Sequence, residues 1–165
     1  MAKMTNDEIG HAAEVLTNLQ LTRAVGPPFN RVLFSVVHLG DKYPTADYLV
    51  AALASDRTVL GHFFVQVKGT LHASPTAPRL AIDVEREAYN RLVRLPVPTY
   101  LVTVDVRAEQ SYLVAACRRR KQAISSVTKA FPLHGDAVTI ILYREVVAFW
   151  APHYSVTRTS EVEDV

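Results

Sequence analysis

The residue types with the clearest chemistry lie in the run Phe63-Phe64-Val65-Gln66-Val67-Lys68-Gly69-Thr70. Strand side chains alternate between two faces, so Phe64, Gln66 and Lys68 share one face and Phe63, Val65 and Val67 the other. Asp47 precedes Gln66 by nineteen residues. A hairpin turning near Asp56 would lay the two strands side by side, with Asp47 facing Gln66 and Lys68. A carboxylate, an amide oxygen and a backbone carbonyl are hard oxygen ligands that suit Mg²⁺, with waters completing its shell. A lysine beside such a cation can orient or help deprotonate an attacking water, or stabilise charge on a phosphate. A cation held by few protein ligands is the usual requirement of phosphodiester hydrolysis, because the substrate phosphate supplies the remaining ligands. Taken alone, Gln-x-Lys on a strand occurs often by chance and fits better the solvent face of an amphipathic sheet, and Asp47 fits a turn or strand-start residue.

These residues need elements to position them, and the apolar periodicity supplies an order. Ile9, Ala12, Ala13, Leu16 and Leu19 recur at spacings of three and four, which predicts a helix over residues 6–21, capped by Thr5 or Asn6. Three antiparallel strands follow, over residues 32–39, 47–50 and 59–70, with turns at residues 40–42 and 55–57. Residues 74–78 form a loop and residues 80–82 a short extended piece. Asp83 is a plausible N-cap for a helix over residues 84–95, ended by Pro96 and Pro98. Residues 100–104 are an apolar run of the kind that central buried strands show, and residues 111–117 read as its hairpin partner, with Cys117 a buried strand cysteine. Beyond it the pattern predicts a helix around residues 122–130, a strand over 138–143 and another over 146–150. The expected fold is α/β, more closely α+β, with a mixed sheet and helices packed on it, forming one domain over residues 1–154. Residues 155–165 are polar and acidic and read as a flexible tail.

The order of elements, with Asp47 on the second strand and Gln66-x-Lys68 on the third, resembles the PD-(D/E)XK nuclease superfamily. Its restriction-endonuclease-like core runs helix, three-stranded meander, helix, strand. Three stretches, Tyr43-Pro44-Thr45-Ala46-Asp47-Tyr48-Leu49-Val50, Phe64-Val65-Gln66-Val67-Lys68-Gly69-Thr70 and Pro98-Thr99-Tyr100-Leu101-Val102-Thr103-Val104-Asp105-Val106, are similar to a bacterial family named domain of unknown function 4365. That family occurs around mobile elements and phage-defence loci, and the resemblance covers residues 6–150. It implies a metal-dependent nuclease acting on DNA ahead of RNA, with Mg²⁺ or Mn²⁺ as cofactor and a homodimer or a partner protein as its working form. Carried over, Asp47, Gln66 and the Val67 carbonyl hold the metal, and Lys68 is the catalytic lysine. Many members add a first-helix acid four residues after a glycine. Gly10-His11-Ala12-Ala13-Glu14 matches this and makes Glu14 the fourth residue, with Glu8 the weaker candidate. The departure is Gln66, where an acid is usual. An amide oxygen coordinates without bringing charge, so the alternative is a nuclease-fold module that binds, assembles or regulates without catalysis.

Composition sets the outer limits. The chain has 165 residues, of which 49% are hydrophobic and 21% charged, enough for one sizeable core. Eighteen Lys and Arg against sixteen Asp and Glu give a net charge of +2, which by itself identifies no polyanionic partner. Up to Gly61 there are five basic and six acidic residues, and thirteen and ten beyond it, so the small basic excess lies on the side of Lys68. Part of it is Arg118-Arg119-Arg120-Lys121, which reads equally as a grip on a nucleic-acid backbone or as a solvated strand end. One cysteine excludes an internal disulfide and a four-cysteine zinc site, and favours a reducing, cytoplasmic setting. The longest uncharged stretch, residues 146–157, falls short of the roughly 18 residues of a membrane span, and the polar start at residues 3–8 is not expected to be a signal peptide. No histidine pair has metal-ligand spacing, Ser125-Ser126 lacks a nucleophile elbow, and none of the glycines forms a phosphate loop.

Overall fold

The computed structural model describes residues 4–40 and 43–155. Helix α1 (Asn6–Leu21) is started by Thr5, whose hydroxyl accepts the Glu8 amide at 3.2 Å while the Glu8 carboxylate accepts the Thr5 amide at 2.7 Å. Its inward face carries Ala13, Thr17, Gln20 and Leu21. Leu19, expected inward, is 65% exposed, because the buried positions step from 13 to 17 to 20–21 and leave it on the far side. After a short ribbon of β1 (Ala24–Val25) and β2 (Arg31–Val32) come β3 (Phe34–His38), β4 (Tyr48–Leu53) and β5 (Val59–Thr70). These three form an antiparallel meander, as the alternation of their residues predicts.

The chain then leaves the sheet through β6 (Arg79–Val84) and α2 (Arg86–Val93) and returns as β7 (Thr99–Asp105), parallel to β5. Strand β8 (Gln110–Ala115) pairs antiparallel with β7, completing a mixed five-stranded sheet in the order β3-β4-β5-β7-β8. All seven β7 residues are buried, as expected for a strand covered on both faces. Phe63, Val65, Tyr100 and Val102 face α1 and the last helix, α3 (Asp136–Trp150). Leu101 and Tyr112 face α2 and a second ribbon, in which β6 pairs with β9 (Ile124–Thr128). The fold is therefore α+β, with three α-helices and a mixed five-stranded sheet among the described residues.

Four local expectations are corrected. Residues 122–130 are not helical, because Ile124, Val127 and Thr128 belong to β9, where β-branched residues pair with β6. Residues 138–143 and 146–150 are not strands but the single helix α3. Its β-branched residues suggest a strand, yet Val138, Thr139, Leu142, Tyr143 and Val146 are buried at helical spacing against the sheet. The second helix starts at Glu85, not Asp83, since Leu80, Ile82 and Val84 keep the period of two to the end of β6. Cys117 is exposed and lies beyond the end of β8. The expected tail at residues 155–165 falls, after Ser155, outside the described residues. Among the described residues no helix is long and apolar enough to cross a membrane.

Candidate metal and phosphodiester cleft

The β4–β5 ladder stops at the pair Tyr48 and Val65, so Gln66 to Thr70 run on beyond β4 while still paired with β7. Asp47, one residue before β4, is held at this step by its own amide, which donates to the Val65 carbonyl at 2.9 Å. Helix α1 crosses the overhanging end of β5 at Gly69. A Cβ there would meet the Ile9 carbonyl oxygen at 2.8 Å and the Ala13 Cβ at 2.9 Å, so only glycine lets the helix sit this close. The step and the helix together enclose a cleft of about 330 Å³ whose walls include Glu14, Asp47, Gln66, Val67, Lys68 and His72.

Glu14, Asp47, Gln66 and Lys68 are each partly exposed and line one cleft, together with Val67. Glu8 is not among the lining residues. Its carboxylate serves the N-cap of α1, and the hydrogen bonds from Thr5 hold it below the usual glutamate range. Arg118 to Lys121 lie elsewhere, in the exposed segment after β8, so they are no part of this cleft.

Within the cleft the Asp47 Oδ2 atom accepts the Gln66 Nε2 at 2.7 Å and the Val67 amide at 2.5 Å. The Gln66 amide nitrogen also stands 3.5 Å from the Val67 carbonyl, so the Gln66 side chain lies between two oxygens. Burial pushes the Asp47 carboxyl above its usual range and the nearby Glu14 adds to this, while the Val67 amide, Lys68 and His38 oppose it. Burial and the same two carboxylates push the Tyr48 hydroxyl up to about 12. The local field is thus negative, in a place where a carboxylate is partly stripped of water.

Two residues that the sequence did not single out organise Glu14. His38 Nε2 stands 3.3 Å from Glu14 Oε2, and Tyr48 donates its hydroxyl to the Glu14 carbonyl at 3.0 Å. The His38 and Tyr48 rings lie 5.3 Å apart because their residues are paired across β3 and β4. The available signal was this cross-strand pairing, which needs a register before it can be used.

The donor set is chemically that of a hard-cation site. It offers two carboxylates, a backbone carbonyl and an amide oxygen that a half-turn of the Gln66 amide would present in place of its NH₂. Among the described residues no group of three or more His, Cys, Asp or Glu is placed to hold a metal ion, and Glu14 and Asp47 are the two carboxylates that line this cleft. Neither a protein-family model nor a curated protein nor a solved structure matches the chain.

Proposed function

We propose that the protein is a metal-dependent nuclease with a restriction-endonuclease-like core, hydrolysing phosphodiester bonds of DNA ahead of RNA. One observation carries this reading: Glu14 from α1, Asp47 from just before β4, and Gln66, Val67 and Lys68 from β5 line a single cleft. Glu14, Asp47 and the Val67 carbonyl would hold Mg²⁺ or Mn²⁺, with the Gln66 oxygen as a neutral fourth ligand. The chemistry that a cation supplies when bound there is neutralisation of phosphoryl charge and a lowered pKa for a coordinated water. The chain's own part is to orient and exclude. Lys68 places a positive charge beside the carboxylates, where it can align the attacking water or a non-bridging phosphate oxygen. His38 and Tyr48 hold Glu14 in position. A cytoplasmic setting, a role in phage defence or mobile-element biology, and a dimer or partner protein belong to the same reading. The test is cleavage of labelled DNA by the purified protein, dependent on added Mg²⁺ or Mn²⁺ and lost in EDTA.

Metal binding has a readout independent of cleavage. An ionised Asp47 costs stability in the metal-free fold, because its pKa is raised there. Its contribution is therefore full below its usual range and is lost as pH rises through the raised value. Asp47→Asn is accordingly expected to melt above wild type near neutral pH without metal, with the gain vanishing in acid. With Mg²⁺ at ten times its dissociation constant, wild type gains about 1.4 kcal/mol, roughly 3 to 6 °C for a domain of this size, and Asp47→Asn gains none. Thermal melts with Mg²⁺ and with EDTA across pH check both parts.

A second reading has one observation in its favour. The Gln66 amide donates to Asp47, as in a site that stabilises itself without a metal. On that reading the fold is a binding or regulatory module and Mg²⁺ does not shift the wild-type melt. Gln66→Glu separates the two. It replaces a hydrogen bond to Asp47 with like-charge repulsion, so the metal-free variant melts below wild type. On the nuclease reading it also needs at least about fivefold less Mg²⁺ for half-saturation, as read by calorimetry, because a charged ligand replaces a neutral one.

A further inference from the structure

The cleft does not end at Lys68. Asn6, Lys68, Gly69, Thr70 and His72 also wall an adjoining hollow of about 630 Å³, which runs over the β6–β9 ribbon as far as Ser125. Ser125 in turn walls a third hollow of about 590 Å³, whose lining includes Arg79, Arg120, Lys121, Gln122 and Ser126. The three share walls in sequence, making a groove that leads from Asp47 and Lys68 along the ribbon to a cationic end. No acidic side chain lines that end, and Asp83 is the acid of the middle section.

The cationic end is held in place. Asn90, buried on α2, accepts the Arg120 amide at 2.8 Å and donates to the Arg120 carbonyl at 3.0 Å, clamping the segment that carries the basic run. The Arg120 guanidinium lies 6.0 Å from the centre of the Tyr89 ring. Arg79 is tied to β9 through its Nε and one terminal nitrogen, which donate to the Ser126 hydroxyl at 2.9 Å and carbonyl at 2.8 Å. Arginine has five N–H donors, so this anchoring leaves others for a ligand. Arg79 and Arg120, held in this way, with Lys121 beside them and exposed hydroxyl and amide groups around them, suit phosphate oxygens spaced along a chain.

We infer that this groove is the track of a polynucleotide strand, with the bond to be cut at Asp47 and Lys68 and phosphates to one side of it held by Arg79, Arg120 and Lys121. The inference rests on the nuclease reading and adds where the substrate lies. It also divides the basic run, giving Arg120 and Lys121 to the groove and not Arg118 or Arg119, which do not line it.

Fluorescence anisotropy in EDTA, with labelled 20-residue DNA and RNA probes in single- and double-stranded form, tests the track without cleavage. Arg79→Glu/Lys121→Glu and the milder Arg79→Gln/Lys121→Gln, each checked for folding by its melt, are expected to lose roughly tenfold or more in affinity. The slope of log affinity against log salt should fall by about 1.4 on single strands or about 1.8 on duplex for two lost contacts. Arg144→Glu, the same kind of charge change on exposed α3 across the sheet, should bind as wild type does. Stronger binding of the DNA or of the RNA probes names the substrate, and either preference supports the track provided it depends on Arg79 and Lys121. Wild-type affinity and salt slope in both double variants, or no binding of any probe at low salt, overturns the track. The two readings fail separately. Mg²⁺-dependent cleavage that needs Asp47, with binding indifferent to Arg79 and Lys121, overturns only the track. Binding that needs them, with no cleavage under Mg²⁺ or Mn²⁺, overturns only the nuclease.

Discussion

Asp47→Ala and Lys68→Ala are each expected to lower Mg²⁺-dependent DNA cleavage by at least about a hundredfold, the scale on which a positioned acid–base or charge-stabilising group acts. The two losses have different origins. Asp47 is the carboxylate on which the cleft converges, since its Oδ2 atom takes both the Gln66 and the Val67 donors. Removing it leaves Glu14 as the lone charged ligand and frees the Gln66 amide and the Val67 N–H. Its loss should therefore appear as a raised Mg²⁺ requirement as well as a lower rate. Lys68 makes no contribution to a cation's ligand set, so its loss should lower the rate at saturating Mg²⁺ and leave the Mg²⁺ requirement within about twofold. Lys68→Arg keeps the charge but not the compact, titratable ammonium, and should recover only part of the rate. Initial rates against Mg²⁺ concentration for the three variants give the comparison. Undiminished cleavage in both alanine variants would mean that the activity belongs to a contaminant.

Gly69→Ala is expected to damage stability and activity together. The added methyl would lie 2.8 Å from the Ile9 carbonyl oxygen, 2.9 Å from the Ala13 Cβ and 3.0 Å from the Ile9 Cγ2. Two of these atoms belong to the backbone or its first carbon, so no side-chain rotation relieves the contact and α1 must move off β5. Overpacking of this kind costs roughly 1–3 kcal/mol, or about 2–12 °C of melting temperature at this chain length. Because α1 also carries Glu14, the same shift moves a charged wall of the cleft away from Asp47. A misplacement near 1 Å can cost on the order of a hundredfold in rate. We therefore expect cleavage to fall at least about tenfold at a temperature where the variant is fully folded. Gly10→Ala is the matched control for stability. Nothing lies within 4 Å of a Cβ at Gly10, and alanine in place of glycine inside a helix raises stability by about 0.5–1 kcal/mol. A Gly69→Ala protein that melts and cleaves like wild type would show that close seating of α1 is not what assembles the site.

Gln66 explains why charge counting along the chain is a poor guide here. Its NH₂ group donates to the Asp47 carboxylate, so a partly buried negative charge is tolerated without a cationic partner in direct contact. A glutamate in its place would put two carboxylates together and make the site depend on its metal for stability. On the proposed reading, Gln66 lets the cleft hold together without a cation and would present its oxygen to one by turning the amide. The near-neutral total of +2 is compatible with the proposed reading, on which a bound cation would supply positive charge where a phosphate needs it.

Much of the scaffold was legible from local pattern. The helical spacing in α1, the alternation through β5 and the unbroken apolar run of β7 each report which faces must be buried, and those faces do not depend on distant partners. The same reading set Lys68 on the Gln66 face, because the period of two determines it, and expected a hairpin to turn Asp47 towards that face. Where β-branched residues occurred without a clear period, local pattern failed. Val138 to Ile141 form a helix because the open face of the sheet takes a helix there, and Ile124 to Thr128 form a strand because β6 offers an unpaired edge. In both segments intrinsic preference differs by less than the packing of a whole face contributes. The contacts that make a site out of its residues belong to tertiary structure alone. The pairing of His38 with Glu14, the direction of the Gln66 amide, and the groove that joins Lys68 to Arg79 and Lys121 all link positions far apart in the chain. Local periodicity shows which side of an element faces inward; only the packed fold determines which residues face one another.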